Sequence, residues 1–151
     1  MPRFIILDFD GTFTDAEEEG KAFTEGCIDD VSIRLSVRIG EIRENWATCT
    51  RKIAENPILH PYMRNGYAVV QANADPYLRM GEIVRMIFLK FGVILIDGDI
   101  TKVVDELFKR NYGKSTSVFK KGACAVLEAF AGQAVYIVTN SATDKVSAKI
   151  E

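Results

Sequence analysis

The sequence predicts an α/β protein, a parallel-sheet core interrupted by a mostly α-helical insertion. Three observations carry this. Phe4-Ile5-Ile6-Leu7 and Ala134-Val135-Tyr136-Ile137-Val138 are short, continuous apolar runs rich in β-formers. Such runs read as strands buried on both faces, as in a parallel sheet. Each run ends in polar residues, Asp8 to Asp15 and Thr139-Asn140-Ser141, and open α/β sheets bind ligands beyond the carboxyl ends of their strands. The long stretch between the two runs carries mostly helical periodicity. The expected division is a core made of residues 1–15 and 118–151, with a helical cap over 16–117.

The elements follow in order. Residues 4–7 form the first strand, and Asp8 to Asp15, which includes Gly11, forms a loop. Val31, Leu35, Ile39, Ile42 and Trp46 recur at helical spacing behind an N-cap at Asp29 or Asp30. Gly66 to Ala72, with Tyr67, Val69 and Val70, reads as a short strand pair with the turn before it. Asp75-Pro76 is an N-cap followed by proline at the first helical position, and Ile83, Val84, Ile87 and Phe91 then line one face. Asp99 or Thr101 caps a further helix carrying Val103, Val104, Leu107 and Phe108. Gly122 to Ala131 places Val126, Leu127 and Phe130 on a helix that Gly132 stops. That helix, a short turn and the second strand make one arm of a βαβ unit. Thr143 to Glu151 reads as the opening turns of another helix.

Composition narrows the class. The chain has 151 residues, 48% hydrophobic and 26% charged, which suits one globular domain. No apolar run approaches the ~18–20 residues of a membrane span, so no membrane partner is expected. The apolar run at the N-terminus ends at Asp8, unlike a signal peptide. Cys27, Cys49 and Cys124 are too few and too scattered for a disulfide framework or a zinc site, and a reducing compartment, the cytoplasm, is expected. Net charge is −2 with dispersed basic residues, so a nucleic-acid partner is not expected.

The chemistry sits after the first strand, at Asp8-Phe9-Asp10-Gly11-Thr12-Phe13-Thr14-Asp15. Two carboxylates at i and i+2 leave the end of an apolar strand, and a glycine lets the backbone turn. This segment resembles the first motif of the haloacid dehalogenase superfamily, DxDGTxxD after an apolar strand. Thr139-Asn140 at the end of the second strand resembles that family's second motif, and a helical insertion between the two is similar to its α-helical caps. Lys120-Lys121-Gly122 stands where a Pro-Gly pair is common.

The resemblance implies a Rossmann-like parallel-sheet core and a phosphohydrolase. It makes Asp8 the nucleophile that forms an aspartyl-phosphate. Asp10 then protonates the leaving oxygen and later deprotonates the attacking water. It implies a phosphate site at Phe9, Gly11, Thr12, Thr139 and Asn140, with backbone amides near Phe9 and Asp10 cradling the phosphoryl oxygens. Magnesium is implied at the Asp8 carboxylate and the Asp10 carbonyl oxygen, because a carboxylate must approach a phosphate dianion. The implied substrate is a small phosphorylated metabolite. A phosphomutase of the same family, or a non-catalytic module that keeps the fold, are the alternatives.

Other readings of these residues weigh less. Asp8, Asp10, Thr12 and Glu19 fall at the first, third, fifth and twelfth positions of a calcium loop, but Phe13 stands where that loop needs glycine. Asp97-Gly98-Asp99 reads as a turn with an N-cap, and Glu17-Glu18-Glu19 as a solvated stretch. His60 reads as an exposed loop residue and Trp46 as core. Lys114, Lys120 and Lys121 read as solvated surface, and Cys27 has no partner to activate it. The family's later lysine and acidic pair have no counterpart in the residues after Ser141. The resemblance thus implies the first half of a catalytic domain, a truncated chain of weak or no activity, and an unpaired apolar edge on the first strand.

Overall fold

A computed structural model describes residues 4–64, 67–94 and 97–139. The chain is mixed α/β and divides into two compact units, residues 1–19 with 116–151, and residues 20–115. The sequence places these boundaries after residues 15 and 117. Among the described residues no helix is long and apolar enough to cross a membrane.

In the first unit, β1 (Phe4–Asp8) pairs in parallel with β4 (Ala134–Val138), from Phe4 opposite Ala134 to Asp8 opposite Val138. The short helix α5 (Ala123–Ala129) precedes β4, and Gly132 follows it at φ 83°, a left-handed position that suits glycine. Phe9, Phe13 and Ala123 are buried together, with Leu7 and Leu127 packed against them.

The expectation of strands buried on both faces is not met. Residues opposite one another in a parallel pair share a face, so Phe4 and Ile6 lie beside Ala134 and Tyr136. Phe4, Ile6 and Tyr136 are each about 60% exposed, and the Phe4 and Tyr136 rings meet edge to face with centroids 6.4 Å apart. The reason is one of cover: among the described residues, side chains pack only against the opposite face, that of Leu7. Val126 of α5 is likewise exposed, so only part of that helix's apolar set is used.

The second unit is helical. It holds most of α1 (Ala16–Leu35), then α2 (Ile39–Glu55), β2 (Pro61–Arg64), β3 (Tyr67–Gln71), α3 (Pro76–Lys90) and α4 (Asp97–Asn111). Phe23, Cys27 and Val31 of α1, Ile42, Trp46 and Ile53 of α2, Ile83, Val84 and Ile87 of α3, and Val103 and Leu107 of α4 bury in one cluster. β2 and β3 form the expected antiparallel pair.

Where the sequence predicts one helix through Val31 and Trp46, there are two. Asp15, not Asp29 or Asp30, caps the first, accepting bonds from the Glu17 and Glu18 amides at 3.1 and 3.2 Å. α1 ends in a left-handed Ser36 at φ 53°, with the Val37 amide bonded to the Ser32 carbonyl at 3.1 Å. This 6→1 closure is a Schellman stop, and it restarts the chain in a new direction while keeping the apolar rhythm. Asp30 instead lies inside α1, bonded to Arg110 and Asn111. Asp75 caps α3 as expected, accepting from the Leu78 amide at 2.8 Å. α4 begins at Asp97, so Asp99 and Thr101 lie inside it rather than ahead of it.

Candidate active site

The loop after β1 closes on itself within a few residues. The Phe9 carbonyl accepts bonds from the Thr12 amide at 3.3 Å and the Phe13 amide at 3.0 Å. Gly11 sits at φ 75°, which the turn requires, and its amide donates to the Thr14 hydroxyl at 3.2 Å. Phe9 and Phe13 drop their rings into the small core, and Thr14 is fully buried. The apolar residues of the motif thus anchor the loop from below, while Asp8, Gly11 and Thr12 stay exposed.

Two hydroxyls meet the two carboxylates. Thr12 donates to Oδ2 of Asp8 at 2.7 Å. Thr139, just past the end of β4, donates to Oδ2 of Asp10, also at 2.7 Å, although 129 residues separate them in sequence. The parallel register brings this about: with Asp8 opposite Val138, the residue after β4 emerges beside the loop after β1. Asp8, Asp10, Thr12 and Thr139 therefore share one strand-end site. Phe9 can offer only its backbone, because its side chain is buried, and Asn140 lies outside the described residues.

The remainder of the site is supporting structure that the sequence reading missed. Segments 13–15 and 118–120 run antiparallel, with Asp15 amide to Val118 carbonyl and Lys120 amide to Phe13 carbonyl both at 2.8 Å, and Thr14 bridging Phe119. Glu19 is 3% exposed and its carboxylate accepts from the Val118 amide at 3.2 Å, so it is not part of a solvated acidic stretch. Lys120 is not merely solvated either: its ammonium donates to the Gly11 carbonyl inside the motif loop. No local signal marks either contact, since each joins residues about a hundred positions apart.

Two further expectations resolve in the second unit. His60 is half-buried, with Nδ1 at 2.8 Å from Glu82, and Glu82 also accepts two bonds from Arg85. Burial alone would raise the Glu82 carboxyl, but hydrogen bonds and charge from Arg85 and His60 outweigh it and hold that carboxyl below its ordinary value. Cys27 is fully buried, and burial together with the nearby Asp30 charge pushes its thiol up to about 12. The Lys114 charge and a hydrogen bond with Asn111 act the other way but are outweighed, which disfavours the thiolate at neutral pH.

Among the described residues no group of three or more His, Cys, Asp or Glu side chains gathers in metal-binding fashion. Asp8 and Asp10 nonetheless offer hard oxygen donors on one loop, and magnesium is commonly held by one or two carboxylates with water and substrate phosphate completing its shell. The donor set therefore suits magnesium better than a softer metal. Scanned against known protein families and compared with curated proteins, the chain matches none.

Proposed function

We propose that the chain is a magnesium-dependent phosphohydrolase acting on a small phosphorylated metabolite through an aspartyl-phosphate on Asp8, with a Rossmann-like core. The observation that supports this most is the meeting of Asp8, Asp10 and Thr139 at the ends of two adjacent parallel strands. Surface acidic turns have no reason to recruit a hydroxyl from a distant strand.

In this reading an Asp8 carboxylate oxygen attacks phosphorus and the ester P–O bond breaks. Asp10 gives its proton to the departing oxygen. Asp10 then takes a proton from water, whose oxygen attacks the acyl phosphate, releasing inorganic phosphate and restoring Asp8. Thr139 orients Asp10; once Asp10 is protonated it can donate to the Thr139 oxygen instead, which releases the single Thr139 O–H to a phosphoryl oxygen. The exposed turn at Gly11 and Thr12 leaves room for the phosphoryl group. The Asp8 carboxylate and the Asp10 carbonyl oxygen would hold magnesium, which when bound would offset the repulsion between carboxylate and phosphate. The three free cysteines fit a reducing compartment such as the cytoplasm.

Hydrolysis of an aryl phosphate with and without magnesium tests the proposal. Asp8→Asn removes turnover entirely, and Thr139→Ala lowers it by about 10²-fold, the usual effect of losing one aligned donor. Turnover unchanged in Asp8→Asn refutes the nucleophile assignment.

A further inference from the structure

We propose that Lys120 is a positioning residue of the motif loop, acting through the Gly11 carbonyl to hold and polarise the amides that face the phosphoryl group. The tether is a matter of geometry; its effect on catalysis rests on the phosphohydrolase reading above.

Two bonds from one residue fix the loop at separate points. The Lys120 amide donates to the Phe13 carbonyl at 2.8 Å, and its ammonium reaches over the turn to the Gly11 carbonyl. The amide of that same Gly11–Thr12 peptide belongs to Thr12 and donates to the Phe9 carbonyl. The amide on the far side of the Phe9 carbonyl is that of Asp10. The ammonium thus stands at the carbonyl end of a relay of two peptides whose amide end is Asp10 N–H. Hydrogen bonds in series polarise one another, by roughly 10–30% per bond. A fixed cation at the head of such a chain makes its terminal N–H a better donor to an anion. The same contact resists flattening of the left-handed Gly11 turn that follows Asp10.

Backbone bonds close the loop, and the ammonium adds a charged contact at its tip. Gly11 is the most permissive residue of the loop, and both it and Thr12 are exposed to competing water. A charge-assisted bond from outside the loop is the means by which such a turn is kept in one state. Lysine 120 comes from the segment leading into α5, so the tether also links the loop to the arm that delivers Thr139.

Amide exchange on the full chain tests this, comparing wild type with Lys120→Met and Lys120→Arg at peptides covering residues 9–14 and, as control, 83–88. Lys120→Met speeds loop exchange about ten-fold with the control unmoved, while Lys120→Arg stays within about three-fold of wild type. Unchanged loop exchange in Lys120→Met overturns the proposal, as does equal acceleration in both variants or acceleration of the control alongside the loop. On aryl phosphate, Lys120→Met lowers kcat about ten-fold with KM within about three-fold, and Lys120→Arg recovers most of it. An active wild type with an equally active Lys120→Met overturns the catalytic half. A wild type without magnesium-dependent turnover defeats the phosphohydrolase reading instead, and the exchange data still decide the tether.

Discussion

Residues 20–115 bury a continuous apolar cluster that runs from Phe23 to Leu107, with contributions from four helices. Among its described residues, the unit carrying the acidic loop buries Phe9, Phe13 and Ala123 in one cluster and leaves Phe4, Ile6 and Tyr136 exposed. At ~1.5–3 kcal/mol for each large side chain fully removed from water, the helical unit holds most of the hydrophobic stabilisation. The other unit holds the acidic loop on which the proposed chemistry rests. The contrast teaches that, among the described residues, this loop is held by two phenylalanines within the motif and by hydrogen bonds to segment 118–120 rather than by a broad apolar cluster.

Substitutions on the two sides should separate this contrast. Ile87→Ala, in the helical cluster, empties a fully buried site and costs ~2–5 kcal/mol. Urea unfolding followed by the single Trp46 reads it, and a cost below 1 kcal/mol, outside the ~2–5 expected, would weaken the claim that stability resides there. Glu82→Gln removes a half-buried carboxylate bonded to Arg85 and His60 and costs about 1.5–3 kcal/mol at neutral pH.

That cost has a pH signature. The folded Glu82 carboxyl lies below its ordinary value of 4.5, so the unfolded chain takes up the proton first as acid is added. The stabilisation is complete above that ordinary value and fades as pH falls through the lower, folded one. Wild type and Glu82→Gln should therefore converge in stability in acid and diverge towards neutrality. A gap between them that does not change with pH would contradict the ion-pair account.

Smaller effects follow. Ser36→Gly relieves a left-handed serine at the end of α1 and should stabilise by about 0.5–1 kcal/mol, seen as a modest rise in Tm. Ile6→Thr, on the open sheet face, should change stability by no more than about 0.5 kcal/mol. A large loss there would mean that this face is covered in solution.

Much of this arrangement was legible in the sequence because its signals are local. Apolar runs marked β1 and β4, Asp75-Pro76 marked the start of α3, and the acidic loop stood out by its resemblance to the DxDGTxxD motif. The break at Ser36 was not legible, because the apolar rhythm passes through it and the left-handed residue is serine rather than glycine. Asp15 carries no separate cap signal, because the same residue closes the acidic loop motif. The roles of Lys120, Glu19 and His60 depend on partners supplied by tertiary folding, which periodicity cannot report. The depth of the strands was misjudged for a related reason: an apolar run says that cover is wanted, not that it is present.

The central claim is that Asp8 accepts a phosphoryl group at this strand-end site. Intact-mass analysis of the full chain after incubation with an aryl phosphate and magnesium tests it most directly. Wild type should gain one phosphoryl group, Asp10→Asn should accumulate it because the attacking water loses its base, and Asp8→Asn should gain none. No adduct in either wild type or Asp10→Asn, or an adduct that persists in Asp8→Asn, would contradict the account.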